Sequence, residues 1–417
     1  MNKAFYIENR KALASLLKDS CEGSYMAVFS SGYGISRSAD ENYPFQVNTN
    51  FYYLTGITQE KVHLVLLSKD GAERELLYID EYDEQYAKWI GHRLTKEEAS
   101  ELSGVAVENI RYRKDFDADM DSLAKEYGTV YLDLEKNGNY NFNSFGLTWE
   151  KHFAEMGITV KNAYESVITL RSAKKPCEIE ALSHAVAVTK KGIEELMRRA
   201  KPGLYEYELE AWFDYILKTE GQHEHSFTTI AAAGVNATTL HYSANNTKIC
   251  DGDLILFDLG AKHEGYSADI TRTFPVNGKF TPLQKTVYEI VLSANKEICR
   301  VAKAGMTLGE LQAICVKVLT EGCLAAGLIK TEEEIKRVYF HGVSHSIGLD
   351  THDPITRGKP LPVGAVISNE PGLYFPEHGI GIRIEDDLYL LEDGAVNLSA
   401  DIIKEVDEIE AFMASKE

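Results

Sequence analysis

The sequence has few features of a membrane-bound, secreted or disulfide-stabilised protein. It contains no run of about 18 apolar residues, and charged residues interrupt the apolar positions of its first twenty residues, so neither a membrane span nor a secretory signal is expected. Its six cysteines form no CxxC pair, which argues against a thiolate zinc site and favours free thiols in a reducing compartment. The sequence therefore predicts a cytoplasmic protein.

Basic residues are also in short supply. The 64 aspartates and glutamates outnumber the 44 lysines and arginines, which gives the 417 residues a formal charge of −20. A protein this acidic repels polyanions, so neither nucleic acid nor an anionic membrane is expected as its partner. With 44% hydrophobic and 26% charged residues, the composition is typical of a globular protein of two or three domains.

The first part of the chain alternates short strand patterns with helix patterns. Strands are expected at 62–67 and 75–79, joined through Asp70-Gly71, which is a strong signal for a hairpin turn. The aromatic segment 51–54 is also expected to be β-rich. These patterns indicate an α/β domain over residues 1–165.

A second domain is expected over residues 170–417. The polar stretch 172–175 ends at Pro176, which suits the first turn of a helix, and residues 178–199 carry a 3.6-residue apolar period. The boundary between the two domains is predicted between about 160 and 175 from this change of texture. The fold class expected for the whole chain is α/β (α+β).

The second domain contains a weak internal repeat. The segment 200–203 recurs as 302–305, and each copy precedes an amphipathic helix predicted to end near a glycine, Gly221 or Gly322. Each copy is followed by two carboxylates at matching distances from glycines. These carboxylates are Asp258 and Asp269 in the first half, and Glu370 and Glu385 in the second half. The ordered series predicts two α/β halves related by duplication.

The first carboxylate pair points to a metal. Asp258 ends an apolar strand, and a hairpin turning at His263-Glu264 would place Asp258 directly opposite Asp269, with Cβ atoms about 5 Å apart. Two ionised carboxylates at this distance repel each other and raise each other's pKa unless a cation lies between them. The spacing therefore predicts a divalent metal ion.

The second half supplies more ligands of the same kind. Glu370 and Glu385 each follow a β-rich run, and three histidines, His341, His345 and His352, lie within twelve residues of one another. Four carboxylates and a histidine are a hard ligand set suited to Mn²⁺, Co²⁺, Fe²⁺ or Zn²⁺, and they are enough for two ions.

These motifs resemble those of the pita-bread metallopeptidases. The resemblance rests on segments 258–261, 266–274, 341–353, 370–374 and 381–386, and within that superfamily it is strongest to aminopeptidase P, followed by prolidase. Segments 37–40 and 48–56 are similar to the N-terminal domain that these two enzymes share. The resemblance implies an N-terminal α/β domain followed by a pita-bread domain.

The resemblance also implies a dinuclear metal centre. Its implied ligands are Asp258, Asp269, His345, Glu370 and Glu385, with Asp269 and Glu385 bridging two ions, most simply Mn²⁺. A hydroxide between the ions would attack the carbonyl carbon of the N-terminal residue.

Other implied roles concern the substrate. Glu370 would carry a proton to the leaving nitrogen, and His241 and His352 would hydrogen-bond the carbonyl oxygen and the oxyanion. His341 and Tyr374 would line the proline-side pocket.

Two further residues complete the implied site. Arg383 would lie near the proline pocket and fix Glu385, with which it alternates along one strand. Asp40 would hold the substrate's free ammonium group.

The predicted function is that of a Xaa-Pro aminopeptidase, which hydrolyses the bond between an N-terminal residue and a penultimate proline. One alternative is prolidase, an Xaa-Pro dipeptidase, because the short connection 374–381 departs from the aminopeptidase P pattern. A remoter alternative is a non-catalytic pita-bread binding module. The resemblance also implies a homodimer or homotetramer.

Overall fold

The computed structural model describes residues 1–21, 23–137, 140–141, 144–356 and 358–415. The chain divides into two compact units, Met1–Arg171 and Ser172–Glu417, called here the N-terminal and C-terminal units. None of the helices formed by these described residues has both the length and the hydropathy needed to span a bilayer. All six cysteines are free, as their scattered spacing predicts; three of them are buried and Cys250 is exposed.

The N-terminal unit is built on a six-stranded mixed sheet with the strand order β10-β7-β1-β4-β5-β6. Its helices are α1 (Lys3–Asp19), α2 (Thr49–Thr55), α3 (Glu84–Ile90), α4 (Lys96–Ser103), α5 (Phe116–Tyr127), α6 (Ser144–Glu155) and α7 (Tyr164–Arg171). Its strands are β1 (Tyr25–Ser30), β2 (Ser36–Ser38), β3 (Glu41–Asn42), β4 (His63–Lys69), β5 (Ala72–Ile79), β6 (Ile110–Tyr112), β7 (Thr129–Leu132), β8 (Lys136–Asn137), β9 (Tyr140–Asn141) and β10 (Thr159–Asn162).

The predicted hairpin in this unit is confirmed. Lys69 pairs with Ala72, so β4 and β5 are joined by the two residues Asp70 and Gly71. Both residues have positive φ, 52° and 81°, as a type I′ turn requires. Because the twist of this turn matches the twist of the strands, the dipeptide fixes the register of the whole hairpin.

The β-rich assignment of 51–54 is wrong, because these residues lie in helix α2. Asn48 caps the helix by accepting a hydrogen bond from the Phe51 N–H at 2.9 Å, and Gly56 ends it in the left-handed conformation with φ 70°. The two caps, together with burial of Phe51, Tyr53 and Leu54, outweigh the β-propensity of the aromatic side chains.

The C-terminal unit contains two sets of helices and antiparallel strands. Its helices are α8 (Pro176–Arg199), α9 (Glu206–Thr219), α10 (Pro282–Val301), α11 (Leu308–Ala325), α12 (Ile335–Val338) and α13 (Val406–Ala414). Its strands are β11 (Ile230–Ala233), β12 (Leu254–Leu259), β13 (Lys262–His263), β14 (Tyr266–Ser267), β15 (Ile270–Pro275), β16 (Val366–Asn369), β17 (Gly372–Phe375), β18 (Ile380–Arg383), β19 (Asp386–Leu390) and β20 (Ala395–Asn397).

The two sets follow the same order. Helices α8 and α9 precede the sheet β11-β12-β15, and helices α10 and α11 precede the sheet β16-β19-β20 and the β17-β18 hairpin. This order agrees with the repeat in the sequence. Helix α11 ends at Ala325, three residues after Gly322, and the missing side chain of that glycine lets the helix pack closely on Ile290.

The predicted register of the first carboxylate pair is wrong by two residues. In the β12-β15 ladder Asp258 pairs with Thr271 rather than with Asp269. The hairpin turns at Glu264 and Gly265, both with positive φ, instead of at His263-Glu264. A shift of two residues keeps every side chain on its face of the sheet, so both carboxylates still point to the same side.

Gly260 lies where the chain passes between β12 and β13. A Cβ atom at this position would lie 1.8 Å from the backbone oxygen of Ala268 and 2.9 Å from the hydroxyl of Ser226. Only glycine fits here, because an added methyl group would meet backbone that has no room to move.

A buried ion cluster lies beneath the two sheets. Arg272 and Asp386 are both fully buried, with Arg272 Nη2 2.8 Å from Asp386 Oδ1, and Lys404 pairs with the other carboxylate oxygen. Arg272 also donates to the backbone oxygen of Glu385 at 2.6 Å. Burial opposes ionisation of Asp386, but Arg272 and Lys404 outweigh it and hold the pKa of this carboxyl well below its usual range.

One buried histidine marks the core of the N-terminal unit. The His63 ring stacks against Phe116 and Phe145 at centroid distances of 4.2 and 5.0 Å, and the residue is 1% exposed. Burial lowers its pKa to about 3, with a smaller contribution from Arg113. The folded state therefore contains neutral His63 at any pH above that value.

We expect the N-terminal unit to lose stability as the pH falls below 6.5. The unfolded chain takes up a proton at His63 near its ordinary pKa of 6.5, whereas the folded state does so only near 3. Each pH unit in this window should cost up to about 1.4 kcal/mol of unfolding free energy. Urea denaturation followed by tryptophan fluorescence, from pH 7.5 to 4.5, measures the effect.

His63→Phe keeps an aromatic ring in the same stack and removes the titrating group, so its unfolding free energy should fall less steeply with pH. His92→Phe changes an exposed histidine of the same unit and is the matched control. Equal pH slopes for the unaltered protein and His63→Phe would contradict the prediction.

Candidate metal centre

A cavity of about 780 Å³ opens in the C-terminal unit. It receives residues from both halves of the repeat, namely the ends of β12 and β18, the segment after α9 and the histidine-rich segment before β16. Its polar lining residues include Ser226, His241, Asp258, Asp269, His341, Ser344, His345, Thr351, His352, Glu370, Arg383 and Glu385. All five residues predicted as metal ligands therefore line one cavity.

Three carboxylates form the floor of the site. Asp258, Asp269 and Glu385 are 8%, 4% and 2% exposed, and one oxygen from each lies within 4.8 Å of the others. The first two come from the first half of the repeat and the third from the second half. Three acids this deeply buried are unusual unless a cation accompanies them.

His345 and Glu370 extend this floor. His345 Nε2 lies 3.3 Å from Asp269 Oδ2 and 3.5 Å from Glu370 Oε1. Its Nδ1 lies 3.0 Å from the backbone oxygen of Ser346, and since a carbonyl oxygen only accepts, Nδ1 carries the proton. The lone pair of Nε2 therefore faces the carboxylates, as a metal ligand requires.

Burial and repulsion control the ionisation of these acids. Burial first, and then the charges of neighbouring carboxylates, raise the pKa values of Asp269 and Glu385 well above their usual range. Burial also raises the pKa of Glu370, which the nearby His345 and Arg383 partly oppose. A bound cation would reverse these shifts, because it stabilises the ionised forms.

The residues fit a divalent metal ion. Asp258 Oδ1 is buried and has no hydrogen-bond partner, so one ligand atom is directed into the cluster without a proton donor to satisfy it. The ligand atoms come in overlapping sets: Asp258, Asp269 and Glu385 form one, and His345, Glu370 and Glu385 form another. Carboxylate oxygens with one imidazole suit hard or borderline divalent cations, and two sets that share Glu385 suit two ions.

Arg383 binds a different carboxylate from the one predicted. Its Nη2 donates to Asp258 Oδ2 at 2.6 Å, whereas its Nε donates to the Thr271 hydroxyl at 3.1 Å. That hydroxyl donates in turn to Glu385 Oε2 at 2.6 Å. The expectation that Arg383 fixes Glu385 is therefore corrected, because the guanidinium holds Asp258 directly and reaches Glu385 only through Thr271.

His341, Tyr374 and Arg383 form a hydrogen-bonded chain. His341 Nδ1 lies 2.8 Å from the Gly342 backbone oxygen and so carries the proton, while its Nε2 lies 2.8 Å from the Tyr374 hydroxyl. Arg383 Nη1 donates to the same hydroxyl at 3.1 Å, so Tyr374 donates to the imidazole. Burial lowers the pKa of His341 to about 4, which keeps the ring neutral.

His352 and His241 lie at the rim. The ring of His352 lies against that of His345 at a centroid distance of 4.0 Å, with the ring planes tilted by 39°, and His352 and His241 are both exposed. Partial loss of solvent, together with His345 and His241, lowers the pKa of His352 to about 4. Asp40 belongs to the N-terminal unit, where it lies exposed at the turn between β2 and β3.

Two hydroxyl residues of the site are missing from the sequence analysis. Thr271 links Arg383 to Glu385, and Ser368 accepts from the His345 N–H at 2.9 Å and donates to Glu370 Oε1 at 3.2 Å. Each stands two residues from a ligand along its strand or the segment that follows, so the period of two could have identified both. The sequence alone does not show which carboxylate each hydroxyl reaches.

Comparisons with known proteins agree with this site. The family model for metallopeptidase family M24 matches residues 180–392, and that for the aminopeptidase P N-terminal domain matches residues 6–131. The Xaa-Pro aminopeptidase of Escherichia coli strain K12 is 32% identical over 98% of both chains.

Solved structures resemble the whole chain. A Bacillus anthracis protein described as a candidate aminopeptidase P has a TM-score of 0.95 and 42% identity, covering 100% of this chain and 99% of its own. Escherichia coli aminopeptidase P with the inhibitor Pro-Leu has a TM-score of 0.90 and 30% identity, with the same coverage. The predicted fold, an α/β domain followed by a pita-bread domain, is confirmed. The chain belongs to metallopeptidase family M24 and carries the N-terminal domain of aminopeptidase P.

Proposed function

We propose that the protein is a metal-dependent Xaa-Pro aminopeptidase, which removes the N-terminal residue of peptides with proline in second position. The observation that carries this proposal is the convergence of three buried carboxylates with His345 and Glu370 in one open cavity. The likeness to Escherichia coli Xaa-Pro aminopeptidase over nearly the whole chain supports the choice of substrate.

The proposed ligands of two divalent ions are Asp258, Asp269, His345, Glu370 and Glu385. The ions, when bound, supply Lewis acidity and an activated water near neutral pH. Asp269 and Glu385 each belong to two of the three overlapping groups of ligand atoms, so both would be shared if two ions were bound. Arg383 orients Asp258, and the Thr271 hydroxyl orients Glu385, so the ligands are held before any ion binds.

His241 and His352 are proposed to donate hydrogen bonds to the substrate carbonyl oxygen. Both line the cavity, and a pKa of about 4 leaves His352 neutral at pH 7. A neutral imidazole N–H donates without adding positive charge beside bound metal ions. The oxygen gains negative charge during hydrolysis, so fixed donors stabilise the transition state more than the substrate.

Glu370 is proposed to move a proton to the leaving nitrogen. Its Oε1 accepts from Ser368 at 3.2 Å, which leaves Oε2 to hold the proton. Glu370 also lines the cavity, so its carboxylate can accept a proton there and pass it to the nitrogen.

The uncharged side chains of His341 and Tyr374 are proposed to contact the proline ring. Both ring nitrogens of His341 are engaged, by Gly342 and Tyr374, so its imidazole offers a flat face rather than a free donor. A prolyl nitrogen carries no N–H, so a pocket without acceptors directed at that nitrogen suits it. Asp40 is proposed to hold the free ammonium group of the substrate.

Aminopeptidase P is favoured over prolidase. The cavity of about 780 Å³ is in the upper part of the range for small-molecule sites, which leaves room for a peptide that extends beyond two residues.

We also propose Mn²⁺ as the metal, the cytoplasm as the compartment and a homodimer or homotetramer as the assembly. The free cysteines support a reducing compartment, and the 87% exposure of Trp89 supports an assembly that covers it.

We expect Xaa-Pro-Xaa tripeptides to be cleaved at least as efficiently as Xaa-Pro dipeptides. Values of kcat/KM with Mn²⁺ for matched peptides such as Ala-Pro-Ala and Ala-Pro test this, with Ala-Ala-Ala as the control for the proline requirement. A strict preference for the dipeptide would identify a prolidase instead.

Loss of a single ligand should abolish activity without unfolding the protein. Glu385→Ala and His345→Ala remove ligands at a cavity, and we expect kcat to fall at least about a hundredfold, since even residues that orient ligands contribute ten- to a hundredfold. Metal content by mass spectrometry should fall below two ions per chain, with an unchanged circular dichroism spectrum.

The matched controls are Glu224→Ala and His223→Ala, which change exposed residues of the same unit. Both should keep full activity and metal content. Insoluble Glu385→Ala and His345→Ala proteins, or soluble ones with two ions and full activity, would count against the ligand assignment.

Metal removal should change how stability depends on pH. Without metal, the raised pKa values of Asp269 and Glu385 mean that ionising them costs stability, so the chelated protein should become less stable as the pH rises above 7, where the buried histidines no longer titrate in either state. Mn²⁺ at a hundred times its dissociation constant should restore about 2.7 kcal/mol per site. Thermal unfolding with and without Mn²⁺ measures both effects.

This experiment also separates the enzyme from a non-catalytic module. A chelated protein whose unfolding temperature does not respond to Mn²⁺, and which hydrolyses no prolyl peptide, would support the module.

A further inference from the structure

The segment that carries His241 has no regular secondary structure of its own. Residues 239–247 form neither helix nor strand, yet they place Leu240, His241 and Ser243 along the wall of the cavity. His241 itself is exposed. An exposed side chain on an irregular segment holds one position only if the backbone beneath it is fixed from elsewhere.

Glu206, at the start of α9, provides the first anchor. Its carboxylate is fully buried and accepts four hydrogen bonds from neutral donors. Oε1 accepts from the Ala233 N–H at 2.8 Å and from Asn236 Nδ2 at 3.0 Å. Oε2 accepts from the Tyr242 hydroxyl and the Thr247 N–H, both at 2.8 Å. Tyr242 directly follows His241, so this carboxylate anchors the side chain next to the imidazole and, at Thr247, the backbone at the end of the segment.

Asn245 provides the second anchor. Its Nδ2 donates to Glu210 Oε2 at 2.9 Å and to the Thr229 backbone oxygen at 2.8 Å, and its Oδ1 accepts from the Ala231 N–H at 3.1 Å. Its φ of 43° lies in the left-handed region, so these bonds hold a backbone conformation that few residues adopt.

The two anchors share their supports. Glu206 and Glu210 are four residues apart on α9 and therefore lie on one face of the helix. Both anchors also bind backbone groups of β11, the strand in which Ile230 pairs with Asp258 of β12. The segment is thus tied to the strand next to a proposed metal ligand.

We propose that Glu206 and Asn245 are positioning residues that hold His241 for its contact with the substrate carbonyl. This inference rests on the proposed function, because it gives these residues a role through His241. Burying the Glu206 carboxylate among neutral partners costs desolvation energy, which its four short hydrogen bonds offset. Segment 239–247 is therefore held in place before the substrate binds. Preorganisation of this kind raises the rate of the chemical step rather than the affinity for substrate.

A double-mutant cycle tests the proposal on the Mn²⁺-loaded full chain. Tyr242→Phe removes the hydroxyl that donates to Glu206 and keeps the aromatic ring. Asn245→Gly allows the left-handed backbone and removes the side-chain hydrogen bonds. Glu206→Gln places an amide NH2 group against two of the hydrogen-bond donors that now face the carboxylate. Each is measured alone and together with His241→Ala. Glu208→Gln is the control, because Glu208 lies in the same helical turn, is exposed and caps only Tyr205.

We expect each single variant to lower kcat about three- to tenfold with little change in KM, because the net contribution of a typical hydrogen bond corresponds to about this factor. In the His241→Ala background the same substitutions should change kcat less than twofold. Glu208→Gln should leave kcat unchanged, and all variants should bind two metal ions per chain.

The outcomes separate the inference from the function on which it rests. Equal losses of kcat in both backgrounds would show that the anchors act on the whole fold, and would overturn the inference while leaving the role of His241. A His241→Ala protein with unchanged kcat would overturn both that role and the inference. If Glu206→Gln fails to fold, Tyr242→Phe and Asn245→Gly still decide the question.

Discussion

Repulsion among buried carboxylates is the constraint on which the C-terminal unit depends. Asp258, Asp269 and Glu385 converge from both halves of the repeat, and the single guanidinium of Arg383 cannot neutralise all three. The neighbouring residue Asp386 shows the contrast, because Arg272 and Lys404 pair with it completely and hold its pKa low, whereas the pKa of Glu385 is raised. Adjacent acids on one chain thus have opposite surroundings, since Asp386 lies between two cationic side chains and Glu385 lies among other carboxylates.

Backbone carbonyls complete this arrangement by fixing protons. His345 and His341 each direct Nδ1 at the backbone oxygen of the following residue, Ser346 and Gly342, which leaves Nε2 as an acceptor in both rings. One Nε2 faces the carboxylates and the other faces Tyr374. The same local geometry therefore turns an acceptor nitrogen towards carboxylates at one position and towards a tyrosine hydroxyl at the other. Protonation states in the cavity are set by backbone conformation as much as by charge.

The sequence predicted the residues of the site better than their connections. The acids that meet in the cavity could be identified because they interrupt apolar strands, and a charge at the edge of a core needs a partner. The register of Asp258 could not, because it depends on Glu264 and Gly265 adopting positive φ together, which a spacing argument does not reveal. The helix at 51–54 was missed for a related reason, since its caps lie outside the aromatic segment. Glu206 escaped notice because its partners are distant in sequence.

Gly260, which has no side chain, allows the segments that carry Asp258 and Asp269 to pack closely. Gly260 follows Asp258 by two residues and packs against the backbone of Ala268, the residue before Asp269. The two segments are so close that there is no room for a methyl group between them. Any other amino acid would push these two segments apart and widen the gap between the carboxylates. The separation of the Asp258 and Asp269 carboxylates therefore depends on the absence of a side chain at this position.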